Sequence, residues 1–184
     1  MTEPQRRSLT AEDLYDLHLE DVRAELVRGD LVCEPPAGFE NGVRSAGIGY
    51  HLRRFIEDHP IGVVCGAETG FVLFRNPDTV RAPDAAFVTR ERAERVADRE
   101  KYFEGAPDLA AEVVSPGDSR REVAEKVHDY LAAGTRLVWV IDPRRRTVTV
   151  HRPGADPRVL RPDGLLEGGD LLPGFSLPVS RLVG

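Results

Sequence analysis

The segment from Leu109 to Ile141 constrains the fold of this chain more than any other part of it. It contains an apolar run of strand length, a stretch with a helical apolar stripe over residues 120–133, and a second apolar run. A strand, a helix and a strand in this order form a crossover connection, which joins parallel neighbours in one sheet. The segment therefore predicts an α/β fold in which helices flank a central mixed sheet.

Shorter patterns predict the remaining elements, because capping residues, apolar stripes and turn residues mark where helices and strands begin and end. The predicted elements are a short helix opened by Thr10, a hairpin about Arg28-Gly29-Asp30, a second helix over about 43–56, strands between 61 and 88, an exposed helix or flap over 90–104, and a helix after 115–119 with Asp118 as its cap.

Length and composition predict one domain. The chain has 184 residues, of which 41% are hydrophobic and 30% are charged, enough for a core that needs no disulfide or metal to fold. We expect a single domain over 1–184, with its core at about 10–152 and a tail of short strands at 153–184.

The charge and the cysteines narrow the class of protein. A formal net charge of −6 argues against a protein that coats nucleic acid by bulk electrostatics, although a local basic groove remains compatible with it. Cys33 and Cys65 lack the spacing of a metal site, and no stretch has the length and hydropathy of a membrane span. We expect a cytoplasmic protein with reduced thiols and no membrane partner.

Two acidic residues stand inside segments that otherwise have the pattern of buried strands. Asp84 precedes the apolar run 85–88, and Glu112 interrupts the run 109–114. An ionised carboxylate in such a place is costly unless a cation or hydrogen bonds compensate it. Mg²⁺ is bound in proteins by one or two carboxylates together with waters and substrate phosphate. The pair therefore predicts a shared Mg²⁺ or Mn²⁺ site.

A lysine near such a cation can orient the attacking water or stabilise charge on a phosphate. The chain has only two lysines, Lys101 and Lys126. Lys126 lies on the crossover helix after the Glu112 strand and shares a helix face with Tyr130 at i, i+4. We therefore expect Lys126 to be the functional lysine.

The chain resembles the Uma-two family of PD-(D/E)XK endonuclease-like proteins in five motifs that follow one another in the family's order. The motifs are Glu25-Leu26-Val27-Arg28-Gly29, Pro83-Asp84, Glu112-Val113-Val114-Ser115-Pro116, the Lys126 to Tyr130 helix segment, and Val138-Trp139-Val140-Ile141-Asp142-Pro143. Together they cover roughly residues 10–152, and their order is more specific than any one of them.

The resemblance implies a restriction-endonuclease-like fold and metal-dependent hydrolysis of DNA. It implies that Asp84 and Glu112 bind the metal, that Glu25 is a third acidic member, and that Lys126 replaces a lysine which the ordinary motif places two residues after Glu112. This chain has Val114 there. The family also tends to have a histidine early in the second helix, where this chain offers Arg44 or Ser45.

Structural interpretations of the four catalytic candidates remain open from the sequence. If Asp84 has no catalytic role, it is a turn residue after proline; in the same case Glu112 is a sheet-edge or interface residue. Glu25 would pair with Arg28 or Arg81, and Lys126 would be a solvated lysine balanced by Glu122.

Two alternatives for the whole protein also remain open. One is a nuclease fold that has lost cleavage and serves as a binding or regulatory module acting as an oligomer such as a dimer. The other is a non-catalytic oligomer that exposes the apolar segment 171–175 to a partner. With the nuclease hypothesis we expect a homodimer.

Overall fold

The computed structural model describes residues 8–17 and 23–184. Residues 1–7 and 18–22 of the predicted domain lie outside this part of the chain. The helices are α1 (Ala11–Asp16), α2 (Phe39–Asp58), α3 (Arg90–Glu94), α4 (Arg120–Ala132) and α5 (Ser180–Val183). The strands are β1 (Arg23–Val27), β2 (Asp30–Glu34), β3 (Gly62–Gly66), β4 (Phe71–Phe74), β5 (Thr79–Arg81), β6 (Ala85–Thr89), β7 (Phe103–Glu104), β8 (Leu109–Val113), β9 (Leu137–Asp142), β10 (Thr147–His151), β11 (Arg158–Leu160), β12 (Leu165–Gly168) and β13 (Leu172–Pro178).

The described strands form a six-stranded sheet, a five-stranded sheet and a hairpin. The six-stranded sheet has the order β11-β10-β9-β8-β6-β3, and its β8 and β9 are parallel, as the crossover pattern predicts. The five-stranded sheet has the order β2-β1-β5-β4-β7. The mixed α/β class with flanking helices is confirmed. The strands predicted between 61 and 88 divide between the two larger sheets. β5 pairs with β1 and β4 with β5, whereas β6 pairs with β8 and β3 with β6.

The six-stranded sheet has a helix on each face. On one face, Ile48 and Leu52 of α2 pack in a cluster that also contains Trp139. On the other face, Val127 and Tyr130 of α4 pack in a second cluster. Successive residues of β8 alternate between these clusters, as the pleat of a strand requires. The end of β8 therefore lies between α2 and α4.

The tail does not present the apolar surface that one sequence interpretation required. Leu171, Leu172 and Phe175 are 7%, 0% and 6% exposed and belong to the cluster beneath α2. The Phe175 ring stacks near Trp139, with 5.5 Å between ring centroids. The interpretation of 171–175 as a partner-binding segment is therefore wrong, because these residues fill the protein's own core.

Helix α4 begins at a capping box. The Ser119 side chain accepts a hydrogen bond from the Glu122 amide, and the Glu122 carboxylate accepts one from the Ser119 amide. Asp118 is not the cap, since its carboxylate accepts from the Ser115 amide within the preceding turn. Gly134, at φ 101°, follows the helix end in the left-handed conformation that glycine adopts readily.

Candidate metal and phosphate site

The two acidic residues at the centre of the sequence prediction lie at neighbouring strand ends. Strands β6 and β8 are antiparallel with Ala85 opposite Ala111, so the same register places Asp84 across from Glu112. Opposite residues of an antiparallel pair have Cβ atoms about 4.5–5.5 Å apart. Asp84 is 7% exposed and Glu112 is 8% exposed. The fold thus brings two buried carboxylates together at the same end of two neighbouring central strands.

Asp84 is held from two directions. The Ser45 hydroxyl on α2 donates to Oδ1 at 3.0 Å, and the Val113 amide on β8 donates to Oδ2 at 2.7 Å. Burial raises the pKa of Asp84 above its ordinary value, and these two hydrogen bonds oppose that rise. Asp84 follows Pro83 in a turn, but its buried contacts with two other elements go beyond what a turn residue needs.

Glu112 faces α4. The Tyr130 hydroxyl donates to Oε1 at 2.7 Å, and the Lys126 ammonium lies 3.9 Å from Oε2. Burial, together with the negative charges of Asp84 and Glu25, raises the pKa of Glu112 to about 8, although the positive charge of Lys126 opposes this rise. Glu112 therefore lies in a buried pocket that it shares with other acidic side chains and one ammonium.

Lys126 points into this pocket. Its Nζ lies 3.1 Å from Glu34, 3.6 Å from Glu25 and 3.9 Å from Glu112, measured to carboxylate oxygens. Its side chain is 17% exposed. Burial alone would lower the pKa of the ammonium, but the carboxylates, led by Glu112, raise it above its ordinary value. The interpretation of Lys126 as a solvated lysine balanced by Glu122 is therefore wrong.

Glu25 is shared between this lysine and a buried arginine. Arg81 Nη1 donates to Glu25 Oε2 at 2.9 Å, and the Ala82 amide donates to Oε1 at 2.9 Å. The same guanidinium binds Asp129 through Nε at 3.1 Å and Nη2 at 2.5 Å. Of the two partners considered for Glu25, the structure pairs it with Arg81.

Sequence reasoning missed Asp129 and Glu34 as members of this charged group and did not assign a role to Tyr130. Asp129 is 6% exposed and directly precedes Tyr130 on α4. The pairing of Arg81 with Asp129 could have been predicted from the sequence. Each residue lies beside apolar residues of a predicted strand or helix, and a buried charge requires a partner of opposite charge. No such signal marked Glu34, which reaches Lys126 only because β2 pairs with β1.

Helix α2 contacts the site through residues on its buried stripe. Ser45, one of the two candidates in this helix, is the residue that contacts Asp84. Arg44 instead donates to the Leu182 carbonyl at 2.7 Å. Asn41 was not predicted; its amide donates to the Val113 carbonyl at 2.9 Å and to Ser115 Oγ at 2.7 Å. Asn41 thus connects α2 to the end of β8, and Ser45 connects it to Asp84 just before β6.

The charged group adjoins a small cavity of about 180 Å³, lined in part by Glu25, Glu34, Arg23 and Tyr102. Within the described ranges 8–17 and 23–184, no group of three or more His, Cys, Asp or Glu side chains is arranged to hold a metal ion. Val114, which stands where the ordinary motif has a lysine, is partly buried on the α4 side of the sheet. It therefore places no positive charge beside Asp84 and Glu112.

The family model Uma2, described as "Putative restriction endonuclease", matches residues 11–180. The chain belongs to the Uma2 family. This Uma2 chain is also similar to a crystal structure described as a "putative nuclease belonging to DUF820" from Anabaena variabilis, with a TM-score of 0.82 and 21% identity. The similarity covers 95% of this chain and 97% of the other and shows a shared fold. A comparison with curated proteins gave no match. In the described part of the Uma2 chain, no helix is long and apolar enough to cross a bilayer.

Proposed function

We propose that this protein is a Mg²⁺- or Mn²⁺-dependent endonuclease that hydrolyses phosphodiester bonds of DNA. The observation that carries the proposal is the convergence of Lys126 with two buried carboxylates from β8 and the start of β6. Carboxylates and an ammonium group are the groups that bind a divalent cation and a phosphate. The family description as a restriction endonuclease supports DNA as the substrate.

Asp84 and Glu112 are the residues that would hold the cation. Their oxygens are the hard ligands that Mg²⁺ prefers. Burial, together with the negative charges of Asp84 and Glu25, raises the pKa of Glu112 to about 8, and a bound cation would favour its ionised form. A cation bound there would supply charge neutralisation for the phosphate and activation of a water. Ser45 and the Val113 amide would hold Asp84 in position, and Tyr130 would do the same for Glu112.

Lys126 would meet the negative charge of the phosphate. Its ammonium lies among three carboxylates and remains protonated, so it can donate to a phosphate oxygen without a proton transfer. Glu25 would orient this ammonium, because it accepts from Arg81 and from the Ala82 amide and is therefore itself fixed. In this proposal Glu25, Asp84, Glu112 and Lys126 form the catalytic group.

The proposal includes a homodimer in the cytoplasm. Cys33 and Cys65 are both free thiols, which suits a reducing compartment.

The decisive experiment compares the two lysines of the chain. Supercoiled plasmid and linear duplex DNA are incubated with Mg²⁺ or Mn²⁺ and with wild type, Lys126→Met or Lys101→Met. We expect Lys126→Met to lower the cleavage rate by about 10²–10³-fold, the usual cost of removing one charge-stabilising donor. Lys101 is exposed and outside the site, so Lys101→Met should cleave like wild type. Equal rates for the two variants would contradict the role of Lys126.

Metal binding separates hydrolysis from a second candidate function. Val114 in place of a lysine, and the absence of a three-residue metal cluster from the described residues, favour a nuclease fold that binds without cleaving. Mn²⁺ titration of wild type, Asp84→Asn, Glu112→Gln and the exposed control Asp156→Asn distinguishes the two. Binding lost only in the two site variants, without cleavage of any DNA by wild type, would indicate a binding or regulatory module. Unchanged Mn²⁺ affinity in both site variants would contradict the metal site itself.

A further inference from the structure

Helix α2 carries an apolar stripe on the face opposite its buried one. Phe39 is 84% exposed, Val43 53% and Tyr50 63%, and Ala46 between them is also exposed. The spacing of four, three and four residues places them along one side of a helix. The 20 residues of α2 make a rod roughly 30 Å long. Contiguous exposed apolar surface of this kind marks a contact with another macromolecule.

We propose that this stripe binds the same stripe of a second copy of the protein, with the two α2 helices antiparallel about a twofold axis near Ala46. The stripe is complementary to itself. Its large side chains stand at the two ends, and small residues, Gly42 and Ala46, lie between them. In an antiparallel pair, Tyr50 lies against the partner's Gly42, where the absence of a side chain leaves room for the ring. Such an isologous contact closes after two copies.

The charges beside the stripe select the antiparallel arrangement. Glu40 lies near the start of α2, and Arg53 and Arg54 lie near its end. An antiparallel pair brings Glu40 near the partner's Arg54, whereas a parallel pair would bring like charges together. Glu40, Arg53 and Arg54 are exposed. Their ion pairs lie within the helix at long distances, 3.5 Å for Arg44–Glu40 and for Arg53–Glu57 and 3.9 Å for Arg54–Asp58, so pairs with a second chain can replace them.

The size of the stripe predicts the strength of the dimer. Two aromatic side chains of about 150–250 Å² each, mostly exposed, contribute on the order of 200–300 Å² per copy. A stable interface buries about 800 Å² per partner, so these side chains alone provide a small contact and predict a weak dimer that forms only at high protein concentration. This inference assigns a surface to the homodimer of the proposed function and does not depend on hydrolysis. The opposite side of α2 carries Asn41 and Ser45, so the interface would lie behind the site.

Sedimentation velocity over a concentration series tests the proposal with two matched valines. Val43 lies in the stripe and is 53% exposed, whereas Val159 lies on β11 and is 58% exposed. We expect wild type and Val159→Glu to form a concentration-dependent dimer, and Val43→Glu to remain monomeric with at least a tenfold weaker association. A monomeric wild type at all concentrations, or equal association of Val43→Glu and wild type, would overturn the inference.

A cross-link tests the twofold position without depending on a loss of function. Ala46→Cys places a thiol at the proposed axis, and mild oxidation should yield a peptide joined through position 46 of both copies, identified by mass spectrometry. Cross-links only through Cys33 or Cys65 would contradict the arrangement. A dimer of this kind in a protein that cleaves no DNA would support the inference while contradicting the nuclease proposal, so the two can fail separately.

Discussion

Two cations, the buried Arg81 and the mostly buried Lys126, share Glu25, and they differ in how directly they bind their acidic neighbours. Arg81 makes hydrogen bonds of 2.5–3.1 Å to Glu25 and Asp129, both of which are buried. Lys126 lies 3.1–3.9 Å from Glu25, Glu34 and Glu112. The planar guanidinium suits fixed pairing with carboxylates, whereas an ammonium is a compact charge that several acids can share.

The difference distinguishes a structural from a functional arrangement of buried charge. Around Arg81, one cation binds two carboxylates in short, directed hydrogen bonds that also join β5 and β1 to α4. Around Lys126, one ammonium faces three acidic side chains, and the pKa of Glu112 is raised to about 8. The acids around Arg81 are thus held by directed hydrogen bonds, whereas the acids around Lys126 share one ammonium at longer distances.

Breaking the Arg81 group should produce the largest effect on stability. Arg81→Met leaves Glu25 and Asp129 buried without their shared cation, and we expect a loss of about 3–5 kcal/mol in the free energy of unfolding, measured with urea. Arg75 is the control, because it also binds acids, at 2.5–2.9 Å, but its side chain is 36% exposed. Arg75→Met should cost about 1 kcal/mol or less. Equal losses would show that burial does not separate the two arginines.

The acidic residues around Lys126 predict that the free energy of unfolding depends on pH. Glu112 has a pKa of about 8 in the folded protein, against an ordinary value of 4.5. Between these values the folded state binds more protons than the unfolded state, so the free energy of unfolding falls as pH rises, by about 3 kcal/mol from pH 5 to 8. The raised pKa of Lys126 adds no slope in this window, since its stabilising effect is lost only above its ordinary value of 10.5.

Urea unfolding between pH 5 and 8 measures this slope without added metal. Glu112→Gln should flatten it, and the exposed control Glu167→Gln should keep it. Stability that rises with pH through this window would contradict the raised pKa of Glu112.

Tyr130 gives the smallest of the three expected effects. Tyr130→Phe removes the hydroxyl that donates to Glu112 at 2.7 Å, and we expect a loss of about 1 kcal/mol in the free energy of unfolding. Tyr15→Phe is the control, because its hydroxyl donates to the Glu100 carbonyl at the exposed surface. That substitution should change stability by less than about 0.5 kcal/mol. A Tyr130→Phe protein as stable as the control would show that Glu112 needs no donor from α4.

Local patterns were sufficient to predict much of the fold. The crossover from β8 to β9, the β1–β2 hairpin and the start of α4 follow from apolar runs, turn residues and capping residues that are close in sequence. The assignment of Asp118 as the helix cap was wrong. Ser and Asp serve equally well as caps, and only the backbone geometry decides that Ser119 holds this position.

The sequence by itself determined the ingredients of the site: two acids in strand patterns, and a lysine one helical turn before a tyrosine. The tertiary structure decided which of them meet. Register places Asp84 opposite Glu112, and β2 brings Glu34 to Lys126 across 92 residues of chain. Burial then makes their charges consequential, because the cost of an unpaired ion depends on the surrounding protein and on partners that are distant in sequence.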